Sequence, residues 1–214
     1  VAGASEPAAY ASIALQKYGF DEKEKTVYAI FDFGGGTTDF DFGIFRFANE
    51  DKPQEEEFDY VIEHFGAGGD KYLGGENLLE LLAFEIFKDN QSIMLEKNMS
   101  FTLPPEAKKF AGSELLLDDS REARLNVVTL MNKLREFWER ESFEEKVFDG
   151  DDVKLILHDN TGKVIPGIEI KIDEEKLKNI LTKRIERGVD NFFEAMREAF
   201  YHHSDELNLD TEEI

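Results

Sequence analysis

The spacing of apolar residues along the chain predicts an alternation of helices and strands. A first helix is predicted from Ser5 to about Tyr18, because serine is a good N-cap and Gly19 ends the apolar repeat. Three strands are predicted next, rich in β-branched and aromatic residues, at residues 26–33, 39–47 and 58–65. Their short connections favour antiparallel pairing, and the middle strand carries apolar residues on both faces, which is typical of a strand covered on both sides.

The second part of the chain is predicted to be mainly helical, with one β section. Apolar residues recur at helical spacing over residues 75–89, 121–141 and 173–201. Residues 91–119 are poorly patterned and should hold loops and a short helix, whereas residues 146–172 read as a β section. The predicted class is therefore α/β, with an α+β insert before the last helix. Three meandering strands followed by a helix open a ribonuclease H-like layer, although this pattern alone fits other topologies.

Charge and cysteine content narrow the possible functions. The formal net charge of −22 argues against nucleic-acid binding, which needs a basic surface. Most of this charge is expected to keep the surface soluble, and binding of a basic partner is the alternative. The absence of cysteine excludes disulfides and thiolate chemistry, which fits the predicted cytoplasmic location. No apolar run is long enough to span a bilayer, so no membrane association is expected.

The most informative segment is residues 31–40, which read FDFGGGTTDF. One interpretation is an ordinary hairpin, but a tight hairpin needs positive φ at only one or two residues, so two glycines suffice. Consecutive glycines also let backbone N–H groups approach an anion closely, and threonine hydroxyls add donors for phosphate oxygens. A carboxylate just before the turn can hold a metal through water. These features favour phosphate binding over a plain hairpin.

Three segments resemble heat-shock protein 70 chaperones and occur in the same order. Residues 31–40 are similar to the second phosphate-binding loop of that family. Residues 6–9, Glu-Pro-Ala-Ala, resemble its Asn-Glu-Pro-Thr-Ala-Ala segment, and residues 69–77, GDKYLGGEN, resemble its Gly-Asp-Thr-His-Leu-Gly-Gly-Glu-Asp stretch. The resemblance implies the second lobe of an actin-like ATPase domain, with a ribonuclease H-like fold and an inserted α+β subdomain. Residues 1–77 with 173–214 would form an incomplete core subdomain, and residues 78–172 the insert.

The resemblance also implies roles for individual residues. Asp32 would hold magnesium through its waters, and Glu6 would position the metal or the attacking water. The three glycines and Thr37 would wrap the terminal phosphates, and such a site works by orientation and charge stabilisation. The catalytic candidates are therefore Glu6, Asp32 and Thr37. The nucleotide-binding candidates at the loop and the following helix are Gly34, Gly35, Gly36, Thr37, Thr38, Asp39, Gly74, Gly75 and Glu76.

Simpler interpretations remain open for four of these residues. Glu6 fits an ordinary charge at a helix N-terminus, and Asp39 fits a strand-end carboxylate. The pair Gly74-Gly75 begins a helix, where close packing explains glycine as well as ligand contact does. Each of these residues therefore has a structural explanation beside the functional one.

The adenosine side of the implied site departs from the family pattern. In the family, the long helix of the insert supplies a glutamate, a basic pair and a serine to the adenosine. Over residues 121–141 the expected lysine is absent, and Glu136 with Arg140 is the nearest match. An i,i+4 salt bridge between these two residues is the simpler account.

The resemblance implies ATP or ADP with magnesium, bound in a cleft between two lobes. The family's first phosphate loop and catalytic lysine belong to the first lobe and do not occur in this sequence. We therefore expect the missing first lobe to be one partner, and these residues alone to bind ATP weakly or not at all and to be inactive in hydrolysis. A nucleotide-exchange factor or another protein is the expected partner of the insert. The alternatives are a catalytically silent actin-like interaction module, or another actin-superfamily member such as a sugar kinase or a filament-forming protein.

Overall fold

The computed structural model describes residues 25–49, 51–139, 148 and 152–207, together with residues 9, 10, 13, 14 and 17, which are helical. Two candidate site residues, Glu6 and Arg140, lie outside the described residues, as does most of the helix predicted over residues 5–18. Of the described helices, none combines the length and the apolar composition that a bilayer crossing requires.

The chain is mixed α/β and divides into two compact units, residues 1–73 with 185–214 and residues 74–184. Two small sheets are antiparallel throughout, with strand orders β1-β2-β3 and β4-β5. The strands are β1 (Thr26–Phe33), β2 (Thr38–Phe47), β3 (Tyr60–Asp70), β4 (Asp152–His158) and β5 (Val164–Lys171). The helices are α1 (Gly75–Asp89), α2 (Gln91–Glu96), α3 (Arg121–Trp138), α4 (Glu174–His202) and α5 (Ser204–Leu207), with a 3-10 turn at Ser113–Leu115.

In the first unit, β2 is buried on both of its faces, as its sequence predicts. On one face, Phe40 and Phe42 lie with their ring centroids 5.3 and 5.5 Å from that of Phe192 on α4. On the other face, Phe45 packs against Tyr28 and Tyr60. Aromatic burial on both faces makes this strand the centre of the unit.

The third strand is longer than its sequence pattern predicts. It continues through Gly66, Gly68 and Gly69 to Asp70, and these residues stay paired with β2. A Cβ atom at Gly66 would come within 2.6 Å of the Cβ of Ala199, so glycine lets α4 approach the sheet closely. Gly66 therefore serves the packing of helix on strand, whereas a Cβ atom at Gly69 would lie 2.8 Å from the Thr38 carbonyl oxygen on the neighbouring strand.

In the second unit, α1 packs against α3, and both helices contact the two-stranded sheet: α3 contacts β4, and α1 contacts β5. Two buried asparagines connect the helices to this sheet. The Asn126 side chain on α3 donates to Ser100 O (3.0 Å) and His158 O (2.9 Å) and accepts from His158 N–H (2.7 Å). Asn90, just after α1, makes the same kind of two-way bond with the backbone of Lys171, at 2.9 Å in each direction.

Candidate functional site

The predicted phosphate loop is the connection between β1 and β2. Its backbone is closed by the Gly34 N–H, which donates to Thr37 O at 2.9 Å. The strands on either side pair Asp32 with Asp39 and Phe33 with Thr38. The fold therefore gathers the loop candidates, from Asp32 to Asp39, at one end of the three-stranded sheet.

Neither backbone conformation nor packing explains why glycine occupies positions 35 and 36 of the loop. None of Gly34, Gly35 and Gly36 has φ in the left-handed region. A Cβ atom at Gly35 or Gly36 would meet no heavy atom within 4 Å, whereas one at Gly34 would lie 3.0 Å from Thr37 O. The hairpin is thus built without the positive φ that the plain-hairpin interpretation assumes. What glycine provides at 35 and 36 is open space directly beside the backbone.

The two carboxylates beside the loop face each other across the strands. Asp32 is half-buried, and its cross-strand partner Asp39 is exposed. Directly opposite side chains share one face of the sheet, and like charges in that arrangement are destabilising. A bound cation would offset that repulsion. Across the described residues, no cluster of three or more histidine or acidic side chains is arranged to hold a metal, and one or two carboxylates with water are a common arrangement for magnesium.

The two threonines of the loop have different surroundings. Thr38 is fully buried, and its hydroxyl donates to the carbonyl oxygen of Leu73 at 2.5 Å. The hydroxyl proton of Thr38 is therefore engaged inside the protein. Thr37 is exposed, which leaves it as the threonine at the loop surface.

The candidates after β3 lie in the second unit, at the beginning of α1. Gly74 precedes the helix in an extended conformation, and its carbonyl accepts the Leu78 N–H at 2.9 Å. Glu76, in the first turn, forms an ion pair with Arg135 of α3 at 2.8 Å. Arg135 escaped the sequence reasoning, although it lies four residues after Met131, beside the apolar stripe that faces α1.

On the predicted adenosine side, Glu136 is exposed and pairs with Lys133 at 2.9 Å, one turn earlier on the same helix. The predicted i,i+4 partner, Arg140, lies outside the described residues. Against the candidates at the start of α1, the basic side chain that α3 contributes is Arg135, which pairs with Glu76.

A second polar cluster, missed by sequence reasoning, lies on the face of the sheet that also carries Asp32 and Asp39. The Tyr28 hydroxyl donates to Asp41 Oδ1 at 2.8 Å, and His64 Nδ1 lies 3.2 Å from the same oxygen. Burial, together with the bond to Asp41, raises the pKa of Tyr28 above its ordinary value. The three residues come from three different strands, so only the strand register brings them together. Tyr28 and His64 therefore give the buried carboxylate of Asp41 two polar partners.

No model of a known protein family matches this chain. The interpretation of the site therefore depends on its geometry and on the three motifs. Chemically, the loop offers backbone beside open space, an exposed threonine and a pair of facing carboxylates. This combination suits a phosphate group with an associated divalent cation.

Proposed function

We propose that this chain forms the phosphate-binding half of a nucleotide site in an ATP-driven chaperone-like protein of the heat-shock protein 70 type. In this proposal the first unit is part of a ribonuclease H-like, actin-like ATPase layer. The observation that carries it is the pair Gly35 and Gly36, where glycine is needed neither for φ nor for packing. Open space beside consecutive backbone N–H groups is what close approach of a phosphate requires.

The geometry assigns different tasks to the loop residues. Gly34 closes the hairpin through its N–H, and Thr38 anchors the loop to Leu73. In this proposal Gly35 and Thr37 meet the phosphate oxygens. Within the part of the chain that the structure describes, the Gly35 N–H and the Thr37 hydroxyl make no internal hydrogen bond.

The carboxylates supply the metal side of the proposed site. Asp32 would hold magnesium through water, and Asp39, its directly opposite cross-strand partner, would add negative charge beside the ion. Magnesium, when bound, neutralises charge on the phosphate oxygens.

The proposal is tested by nuclear magnetic resonance of the 15N-labelled chain, titrated with magnesium pyrophosphate and with magnesium ADP. The amide signals of Gly35, Gly36 and Thr37 should shift in a saturable way at millimolar ligand, with both probes. Gly35→Asp should abolish these shifts, because its carboxylate repels phosphate from the open space. The matched control is Asn49→Asp, which adds the same charge in the exposed loop at the other end of the sheet. Absence of loop shifts, or equal loss in both variants, would refute phosphate binding at this loop.

A second candidate function is a protein-interaction module, in which the second unit binds a partner and nucleotide turnover is absent. The observation that favours it is an open groove within that unit, lined by α1, α3 and the segment that follows α2. The two functions are compatible, because the groove residues and the loop residues are different.

A further inference from the structure

The groove in the second unit combines an apolar floor with acidic side chains. It encloses about 500 Å³, which is in the size range of ligand-binding clefts. Val127, Val128 and Met131 of α3 line it, with Leu103 and Pro105 from the segment after α2. Its charged lining consists of three carboxylates and one guanidinium, those of Glu76, Glu80, Asp119 and Arg124.

One edge of α3 presents apolar side chains between two basic ones. Arg124, Val128, Met131 and Arg135 are spaced at i, i+4, i+7 and i+11, so they follow one line along the helix. Val128 is 50% exposed, in contrast to its buried neighbour Val127. Part of the apolar surface of α3, at Val128, therefore lies outside the core of the unit.

The facing carboxylates of α1 are partnered unequally. Glu76 is paired with Arg135 at 2.8 Å. One helical turn further, the half-buried Glu80 accepts only a hydrogen bond of 3.3 Å from the Thr102 hydroxyl, and no cation of the described chain forms an ion pair with it. Val128, Met131 and Arg124 of α3 line the same groove, but within the described residues Arg124 forms no ion pair with Glu80. A cation on an apolar stem would form an ion pair with Glu80, as Arg135 does with Glu76.

We propose that this groove is a docking site for a partner protein, and that it binds a lysine or arginine side chain of an apolar segment. The aliphatic stem lies along Val128 and Met131, and the charged head reaches Glu80. Long basic side chains commonly cover apolar surface in this way while the charge pairs at the end. The chain's net charge of −22 also favours the approach of a basic partner. This docking is independent of phosphate binding at the β1–β2 loop.

The experiment measures fluorescence anisotropy of labelled octapeptides added to the whole chain. The test peptide alternates leucine and arginine, and two reference peptides alternate leucine with glutamate and serine with arginine. We expect binding of the first peptide only, because the groove needs both the cation and the apolar stem. Glu80→Gln should weaken that binding by about tenfold, since the charge that attracts the arginine is gone. Val128→Lys should weaken it at least as much, because it places a cation of the chain itself in the groove.

Two matched variants lie on the exposed 3-10 turn outside the groove. Glu114→Gln removes one carboxylate and Leu115→Lys adds one lysine in place of an exposed apolar residue, so both should leave the affinity unchanged. Circular dichroism of each variant shows whether the fold is kept, and Glu80→Gln provides the result if Val128→Lys unfolds. Equal binding of the serine–arginine peptide, or equal loss in Glu80→Gln and Glu114→Gln, would overturn the proposal in favour of nonspecific charge attraction. The loop amide signals are read separately, so failure here and failure of nucleotide binding are distinguishable.

Discussion

Thr38 and Leu73 are joined by a buried hydrogen bond in which the threonine hydroxyl donates to the leucine carbonyl, 2.5 Å away. Thr38 is the first residue of β2, directly after the glycine loop, and Leu73 is fully buried in the connection between β3 and α1. The bond fixes the end of the loop to a segment 35 residues away in sequence. The loop is therefore held by tertiary structure and not by its own turn alone.

Replacing this hydroxyl should destabilise the chain measurably. Thr38→Val keeps the side-chain shape but leaves the Leu73 carbonyl without its donor, at an expected cost of about 1–2 kcal/mol in the free energy of unfolding. Thr38→Ser keeps the hydroxyl donor, so this variant should keep most of the unfolding free energy that the valine variant loses. Urea unfolding followed by circular dichroism measures all three proteins. A valine variant as stable as the native chain would show that the bond contributes nothing.

Alanine should destabilise the first unit at one of its glycines, Gly43, and leave its stability unchanged at another, Gly35. At Gly43, a Cβ atom would lie 2.5 Å from the Tyr28 hydroxyl oxygen and 2.7 Å from the Glu63 carbonyl oxygen. We expect Gly43→Ala to lower the free energy of unfolding by about 2–3 kcal/mol, because the backbone oxygen cannot move aside easily. Gly35→Ala, where a Cβ meets nothing within 4 Å, is the control and should unfold like the native chain. Thermal unfolding of both variants decides this, and similar melting temperatures would contradict the crowding at Gly43.

The buried Asn126 should be far more important for stability than an exposed asparagine on the same helix. Asn126→Leu removes three hydrogen bonds and leaves backbone groups of Ser100 and His158 unsatisfied, at an expected cost of about 2–4 kcal/mol. Asn132 is exposed, so Asn132→Leu should change stability by less than about 0.5 kcal/mol. Urea unfolding of the two variants provides the comparison. Hydrogen exchange at the His158 amide, which donates to Asn126, should also accelerate in the first variant only.

The Arg46–Glu55 ion pair predicts a pH-dependent contribution to stability. Hydrogen bonds from Arg46 are the main reason that the pKa of Glu55 falls from 4.5 to about 2 in the folded chain. Because the folded pKa is the lower one, this contribution is complete above the unfolded pKa and disappears as the pH falls towards 2. Glu55→Gln should therefore be less stable than the native chain at neutral pH and equally stable at strongly acidic pH.

Melting temperatures across this pH range test the prediction. The control is Glu56→Gln, an exposed neighbour without a bond to Arg46. A stability difference for Glu55→Gln that persists unchanged down to pH 2 would contradict the role of the ion pair.

Local sequence patterns predict most elements because their signals lie within each element. The bounds of β1 and α1 are those predicted, since β-branched runs and helical apolar repeats depend on near neighbours only. The end of β3 was predicted too early, at residue 65, because glycines normally weaken a strand. The close approach of α4, which gives Gly66 its role, involves Ala199 and is invisible in the local pattern.

The sequence by itself determined the order of the described strands and long helices, and the position of the glycine turn between Asp32 and Asp39. It also identified the apolar face of α3. Tertiary structure decided which threonine of the turn is exposed and which arginine meets Glu76. It also decided that, among the residues the structure describes, no cation pairs with Glu80. These outcomes depend on contacts between residues 22 to 59 positions apart in sequence, such as Thr102–Glu80 and Arg135–Glu76. Periodicity reports the face on which a side chain lies, but only the packing of one element on another sets the partner that it meets.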